Sequence, residues 1–183
     1  MSDCCAVPGS TEACAIVVGE GNTNADSRCS TCEKEGRPVE RQTVFHHVKH
    51  EQLDRVNGEA YRFCAEPNCP IVYYGDKGAC FTVDDLRELV TTKTQGDKRP
   101  ICYCFGFTEG DARDEIARTG TSTIPTTISR LIKSGMCACE VRNPEGVCCL
   151  GEVNRTVKRL STEDKASVQI IGVHGWRENS TSS

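Results

Sequence analysis

Aromatic side chains are scarce in this chain: they make up 5% of its 183 residues, with a single tryptophan. With a mean hydropathy of −0.43, that scarcity excludes a large apolar core and predicts small units that need chemical staples. No apolar run approaches the roughly twenty residues of a membrane helix. The opening Met1-Ser2-Asp3-Cys4-Cys5-Ala6-Val7-Pro8-Gly9 lacks the basic-then-apolar pattern of a secretion signal. The expectation is therefore a cytoplasmic chain with no membrane insertion. The 22 Lys and Arg are scattered among 26 Asp and Glu, for a net charge of −4, so no basic face is offered to nucleic acid. A catalytic triad, a phosphate-cradling glycine loop and a carboxylate pair are all missing, which removes hydrolytic and transferase chemistry from consideration.

What the chain does have is cysteine, 14 of them. In a cytosolic setting, close-spaced cysteines favour metal over disulfides. Cys29 and Cys32 form a Cys-x-x-Cys turn, and Gly36 and Pro38 lead from it into a short strand at Val39. Cys64 and Cys69 sit on the turn between strand-like residues 60–63 and 71–74. Two such knuckles supply four sulfurs, Cys29, Cys32, Cys64 and Cys69, for a closed tetrahedral zinc site that can hold together a domain too small to fold by burial. A thioredoxin-like redox pair at Cys29 and Cys32 competes with this reading, but no strand-helix-strand pattern surrounds it. Between the knuckles, His46 and His50 stand at i and i+4 and would share a helix face. With His47 they read as surface histidines, and His46 or His47 is the reserve ligand should a knuckle cysteine fail. Residues 82–90 open on Thr82 and Asp85 and continue with apolar residues at helical spacing, which predicts a capped helix. Cys80 reads as a small part-buried side chain rather than a ligand.

Residues 91–99 are polar and precede Pro100, so a second unit is expected to begin there. It opens on Cys102-Tyr103-Cys104. Thr108 and Asp111 then cap a helix that carries Ala112, Ile116 and Ala117 and ends at Gly120. Pro125 stands in the first turn of the next helix, whose stripe is Ile128, Leu131 and Ile132, with Gly135 after it. Cys137, Cys139, Cys148 and Cys149 surround an Asn143-Pro144-Glu145-Gly146 turn, and a third helix is expected from about Cys149 through Val153, Val157 and Leu160. Two remote loops are thus expected to bring four thiolates to one point, with six cysteines competing for the four places. Sulfur ligation suits zinc or an iron-sulfur centre, and spacing alone does not choose between them. The positive ends of the helices starting near Thr108 and Cys149 are expected to face the thiolates. Vicinal Cys4 and Cys5, with Cys14, form either a soft-metal site or an incidental tail. Residues 161–183 read as a tail with a short strand about Ile170, Ile171, Val173 and Trp176.

Cys102-Tyr103-Cys104 with Thr108, together with the run from Cys139 through Asn143, Pro144 and Gly146 to Cys148 and Cys149, resembles the bacterioferritin-associated-ferredoxin-like [2Fe-2S] domain. In particular it resembles the N-terminal metal domain of CopZ-type copper chaperones. Cys29, Cys32, Phe63, Cys64, Cys69, Val72, Tyr73 and Tyr74 extend the likeness to roughly residues 27–160. The resemblance implies an α+β fold: a small zinc-knuckle β-hairpin unit (27–96) followed by a helical [2Fe-2S] unit (97–160), with a flexible arm (1–26) before and a tail (161–183) after. It selects Cys102, Cys104, Cys139 and Cys149 as cluster ligands and leaves Cys137 and Cys148 as extra thiols or replacements. Its chaperone half, with a Met-x-Cys-x-x-Cys loop, has no counterpart in residues 151–183. The implied function is one-electron transfer linked to copper or other soft-metal handling, with Cu(II) reduction to Cu(I) as its activity. The implied partners are copper ions or a copper chaperone or exporter and an electron donor of unknown identity. The alternative is a cluster-bearing adaptor or redox or metal sensor that docks on a larger protein.

Overall fold

The computed structural model of the chain describes residues 27–172, with side chains to residue 164. The expected arm, with Cys4, Cys5 and Cys14, and the residues beyond 172, including Val173 and Trp176, lie outside the described residues. The fold is α+β. Strands β1 (Arg37–Val39), β2 (Tyr61–Phe63), β3 (Ile71–Gly75) and β4 (Cys80–Thr82) form an antiparallel meander in the order β1-β2-β3-β4. Its register sets Val39 opposite Tyr61, Phe63 opposite Tyr73, and Tyr73 opposite Phe81. An irregularity between Ile71 and Tyr73 turns both Val72 and Tyr73 into the first core, with Val44, Val48, Phe63 and Phe81. Ile71 and Tyr74 instead pack among Cys29, Cys64 and Cys69. A shifted register thus lets one short strand serve two clusters, and its first four residues are all buried.

Helix α1 (Arg41–His47) lies between β1 and β2. It ends at His47 because Val48 is extended (φ −71°, ψ 137°) and bridges to Leu86. His46 and His50 therefore do not share a helix face; His50 opens a separate 3-10 turn, His50–Arg55. Nor is His47 a surface residue, being 1% exposed. The predicted helix over residues 82–90 is also replaced. Thr82 and Asp85 make the expected reciprocal cap, but on a single 3-10 turn, Val83–Asp85. Beyond it the backbone is drawn to the α1 end, where Lys49 N–H donates to Asp85 O at 2.8 Å and Arg87 N–H to His47 O at 2.9 Å. Pairing with a distant segment overrides a local helical pattern.

The second unit opens on the hairpin β5 (Pro100–Cys102) and β6 (Phe107–Thr108), followed by α2 (Glu109–Thr119), α3 (Ile124–Lys133), the single turn α4 (Cys139–Arg142) and α5 (Leu150–Gly172). Thr108 and Asp111 cap α2 reciprocally, and Pro125 sits in the first turn of α3, as their sequence patterns predict. Ile101, Ala112, Ile116, Ile128, Val153 and Leu160 form the core among these helices. Helix α5 does not stop near Leu160. It runs to Gly172, so residues 161–172 are helix rather than tail, and Ile170 and Ile171 lie in it rather than in a strand.

The two units touch through buried polar contacts. Thr43 Oγ1 donates to Glu140 O at 2.7 Å, and the Tyr73 hydroxyl donates to Pro144 O at 2.9 Å. Among the described residues no helix is long and apolar enough to cross a membrane.

Candidate metal centres

The first thiol set is assembled by two tight turns. Cys29 N–H donates to Lys34 O at 2.9 Å and Glu33 N–H to Cys29 O at 2.8 Å, which folds the first turn back on itself. Gly36 beneath it has no room for a side chain, since a Cβ there would stand 2.9 Å from Phe63 O and on the Tyr74 ring. The second turn joins β2 to β3, with Cys64 N–H on Val72 O at 2.9 Å and Cys69 N–H on Glu66 O at 3.1 Å. An ion pair between Lys34 and Glu66 links the two turns.

The four sulfurs of Cys29, Cys32, Cys64 and Cys69 lie within 4.8 Å of one another, with Cys29 and Cys69 at 3.8 Å and Cys32 and Cys64 at 3.6 Å. Four sulfurs held about 2.3 Å from one zinc stand about 3.8 Å apart, whereas a disulfide needs about 2.05 Å. The set fits a single tetrahedral ion. Backbone N–H groups two residues on are aimed at three of the sulfurs: Lys34 at Cys32, Glu66 at Cys64 and Ile71 at Cys69. Burial pushes the Cys64 and Cys69 thiols up. At Cys32 burial also raises, but the Lys34 N–H and the neighbouring thiols outweigh it and leave that thiol below its ordinary value. Lys93 brings a positive charge, its Nζ 3.8 Å from Cys64 Sγ and hydrogen-bonded to Glu66 O.

The second set has a different shape. Cys102 closes β5, Cys104 follows on the turn to β6, Cys139 opens α4 and Cys149 immediately precedes α5. The chain reverses between the last two through Asn143 to Gly146. Glu145 N–H donates to Asn143 Oδ1 at 3.1 Å, Asn143 Nδ2 to Val147 O at 2.6 Å, and Gly146 takes a left-handed φ of 68°. Cys104 and Cys139 stand 3.6 Å apart and Cys102 and Cys149 3.2 Å apart. Cys149 also reaches Cys139, by its thiol and by its backbone N–H. The four sulfurs thus come as two close pairs in contact. Among the described residues, Cys29, Cys32, Cys64 and Cys69 are the one group of metal-type ligands gathered around a single point.

Ala138 N–H donates to Cys104 Sγ at 3.4 Å, and the N–H groups of Phe105 and Cys104 face Cys102. The Cys149 thiol donates to Cys102, so Cys102 is held below the ordinary thiol value and Cys149 is driven above it. Of the extra thiols, Cys137 is half-buried and Cys148 exposed. The positive end of α5 does begin beside Cys149. That of α2 is spent elsewhere: Glu109 N–H donates to Arg99 O at 2.8 Å and Gly110 N–H to Asp97 O at 2.9 Å.

Sequence reasoning missed three residues around these sites. Thr91 and Lys93, placed in a polar linker, form a 3-10 turn (Thr91–Lys93) that is buried at Thr91. Tyr103, flanked by two cysteines, is 7% exposed, and burial pushes its phenol up to about 12. Its position between the two thiols was the one available signal; Thr91 and Lys93 had none. His47 and His46 are not drawn to the first thiol set. The His47 ring packs edge-on against Tyr103 at 6.1 Å, and burial, then His46, depress its pKa to about 4.

A single-ion site of four cysteines, two of them on a β-hairpin turn, fits a zinc-binding domain, and residues 26–87 match the family described as "Zinc binding domain". This segment is a zinc-binding domain of the CopZ type. The chain is 29% identical over 143 residues to the copper chaperone CopZ of Archaeoglobus fulgidus, covering 78% of this chain and 68% of that protein. It is also similar to the X-ray structure of the Archaeoglobus fulgidus CopZ N-terminal domain, with a TM-score of 0.57 and 29% identity over 70% of this chain and 95% of that one. The chain is homologous to that domain.

Proposed function

We propose that this chain is a cytoplasmic metal-handling protein in which Cys29, Cys32, Cys64 and Cys69 hold a structural zinc. In the same reading Cys102, Cys104, Cys139 and Cys149 hold a [2Fe-2S] cluster. The observation that carries the second assignment is the contrast between the two sulfur sets. A binuclear centre spreads its four sulfurs over two metals, two on each, and the second set, with pairs at 3.6 and 3.2 Å, is not gathered within the 4.8 Å that encloses the first. Its surroundings suit a negatively charged group, since backbone N–H groups of Ala138, Cys104 and Phe105 face the sulfurs and α5 begins beside Cys149. Such a cluster supplies one-electron transfer, enough to convert Cu(II) to Cu(I), the soft form that thiolates bind. Copper is the substrate in this reading, on the strength of the homology to a copper chaperone. A copper chaperone or exporter would take the product, and a separate donor would re-reduce the protein. Cys4, Cys5 and Cys14 are the proposed in-chain acceptors of the metal.

Anaerobic purification tests this. The expected product is red-brown, with about one zinc and two irons per chain, and reduced protein is oxidised within seconds of adding Cu(II). Colourless, iron-free protein with two zincs refutes the cluster; a cluster that copper leaves reduced refutes the copper chemistry.

A further inference from the structure

Between the two thiol sets lies one turn of 3-10 helix, Thr91–Lys93, and its side chains reach both. On one side every polar group of Thr91 is directed at the second unit. Its N–H donates to the Tyr103 hydroxyl at 2.8 Å and its Oγ1 donates to Pro100 O at 2.8 Å, while its carbonyl accepts from Arg99 Nε at 3.1 Å. The Tyr103 hydroxyl in turn donates to Leu89 O at 3.1 Å and lies 2.9 Å from Thr91 Oγ1. One phenol oxygen is thus met by three atoms of residues 89–91, all from the zinc unit. A phenylalanine would pack equally well against His47, so packing does not account for the hydroxyl. Covalently, Tyr103 is the link between Cys102 and Cys104, and fixing its side chain fixes the turn that aims both sulfurs.

On the other side, two residues along the same turn, Lys93 places its ammonium 3.8 Å from Cys64 Sγ and on the Glu66 carbonyl of the second knuckle. Sulfurs that hold zinc do so as thiolates, so the occupied site attracts this ammonium. The turn is short and buried at Thr91, which is 6% exposed, so a shift at Lys93 is carried to Tyr103 with little chain to absorb it.

We infer that this turn is a strap through which the zinc site positions the cluster thiolates, with Tyr103 as the positioning residue at one end and Lys93 as the anchor at the other. The inference rests on the reading that the second set binds a cluster, and deepens it: the zinc does more than staple its own hairpin.

The test uses the full chain, purified without oxygen, as wild type, Tyr103→Phe and Lys93→Gln. Both variants are expected to keep their zinc and iron, since all eight sulfurs remain. Tyr103→Phe should shift the spin-resonance signature of the reduced protein and release iron to a chelator about ten-fold faster, the scale of lost outer-shell support at metal sites. Lys93→Gln should shift both in the same direction by less, although Lys93 touches neither Cys102 nor Cys104. Wild-type spectra and release rates in both variants overturn the inference, and so does a change in Tyr103→Phe alone, which would leave Tyr103 a local support without a strap. Should Tyr103→Phe not accumulate, Lys93→Gln decides by itself: a shift supports the strap and wild-type behaviour refutes it. Iron-free wild type sinks the cluster reading separately. The strap is then read from the alkylation rate of Cys102 and Cys104, which both variants should raise and which an unchanged rate contradicts.

Discussion

Replacing Tyr73 by phenylalanine isolates one contact that joins the zinc-binding unit to the helical unit. Tyr73 is fully buried at the middle of β3, and burial holds its phenol well above the usual tyrosine value. Its hydroxyl donates to Pro144 O at 2.9 Å, and Pro144, itself among the most buried side chains, lies on the turn between Cys139 and Cys149. The substitution keeps the ring and its packing on Phe63 at 6.1 Å, removes the donor, and strands a buried carbonyl. Leaving one buried partner unsatisfied costs about 1–3 kcal/mol. For a chain of this size that corresponds to a fall in Tm of about 3–10 °C. Urea denaturation of metal-loaded protein, followed in parallel by tyrosine fluorescence and metal release, measures it. The reasoning predicts a lower midpoint with coincident transitions. A change below about 0.5 kcal/mol would mean that the carbonyl finds water or another donor at no cost, and that the interface does not depend on this bond.

Acid should weaken the fold through His47. Its folded pKa is about 4 against about 6.5 when unfolded, so the unfolded chain takes the proton first as pH falls. The contribution is fully present above pH 6.5 and falls by roughly 2 kcal/mol by pH 5. His47→Gln should show a flatter stability curve than wild type over that window; parallel curves would refute the assignment. Cys64→Ser should abolish stoichiometric zinc and cooperative unfolding of the hairpin unit, because structural zinc contributes on the order of 10 kcal/mol to such domains; metal analysis and thermal melts check this. Ile128→Ala, at a position with no exposure in the helical core, should cost about 2–5 kcal/mol in urea titrations while leaving zinc content unchanged.

The hairpin and its two knuckles are legible in the sequence because turn residues and paired cysteines punctuate short apolar runs. The starts of α2 and α3 are legible for a similar reason, as the cap of Thr108 with Asp111 and the first-turn Pro125 act within a few residues of themselves. Residues 82–90 mislead because their helical spacing is real but loses to backbone pairing with residues 47–49. His46 and His50 mislead because Val48 leaves the helix for the same pairing. The length of α5 is not legible because polar Ser161 and Thr162 resemble the start of a tail, whereas their hydroxyls bond back to Val157 O at 2.8 Å and Lys158 O at 3.0 Å inside the helix. Six thiols around the second site left the choice of four to resemblance, since cysteine spacing does not encode which side chain faces inward.

Taken by itself, the sequence determined that short apolar runs would be punctuated by paired cysteines, and on which loops the sulfurs would sit. Both follow from composition and from neighbours a few positions apart. Only the tertiary structure decided that one sulfur set would gather within 4.8 Å and that the other would not be so gathered. It alone decided that Thr43 would meet Glu140, 97 residues away, and that Thr91 would tie Tyr103 to the zinc unit. Contacts of that reach depend on how whole elements pack, and packing leaves no periodic mark on the residues that make them.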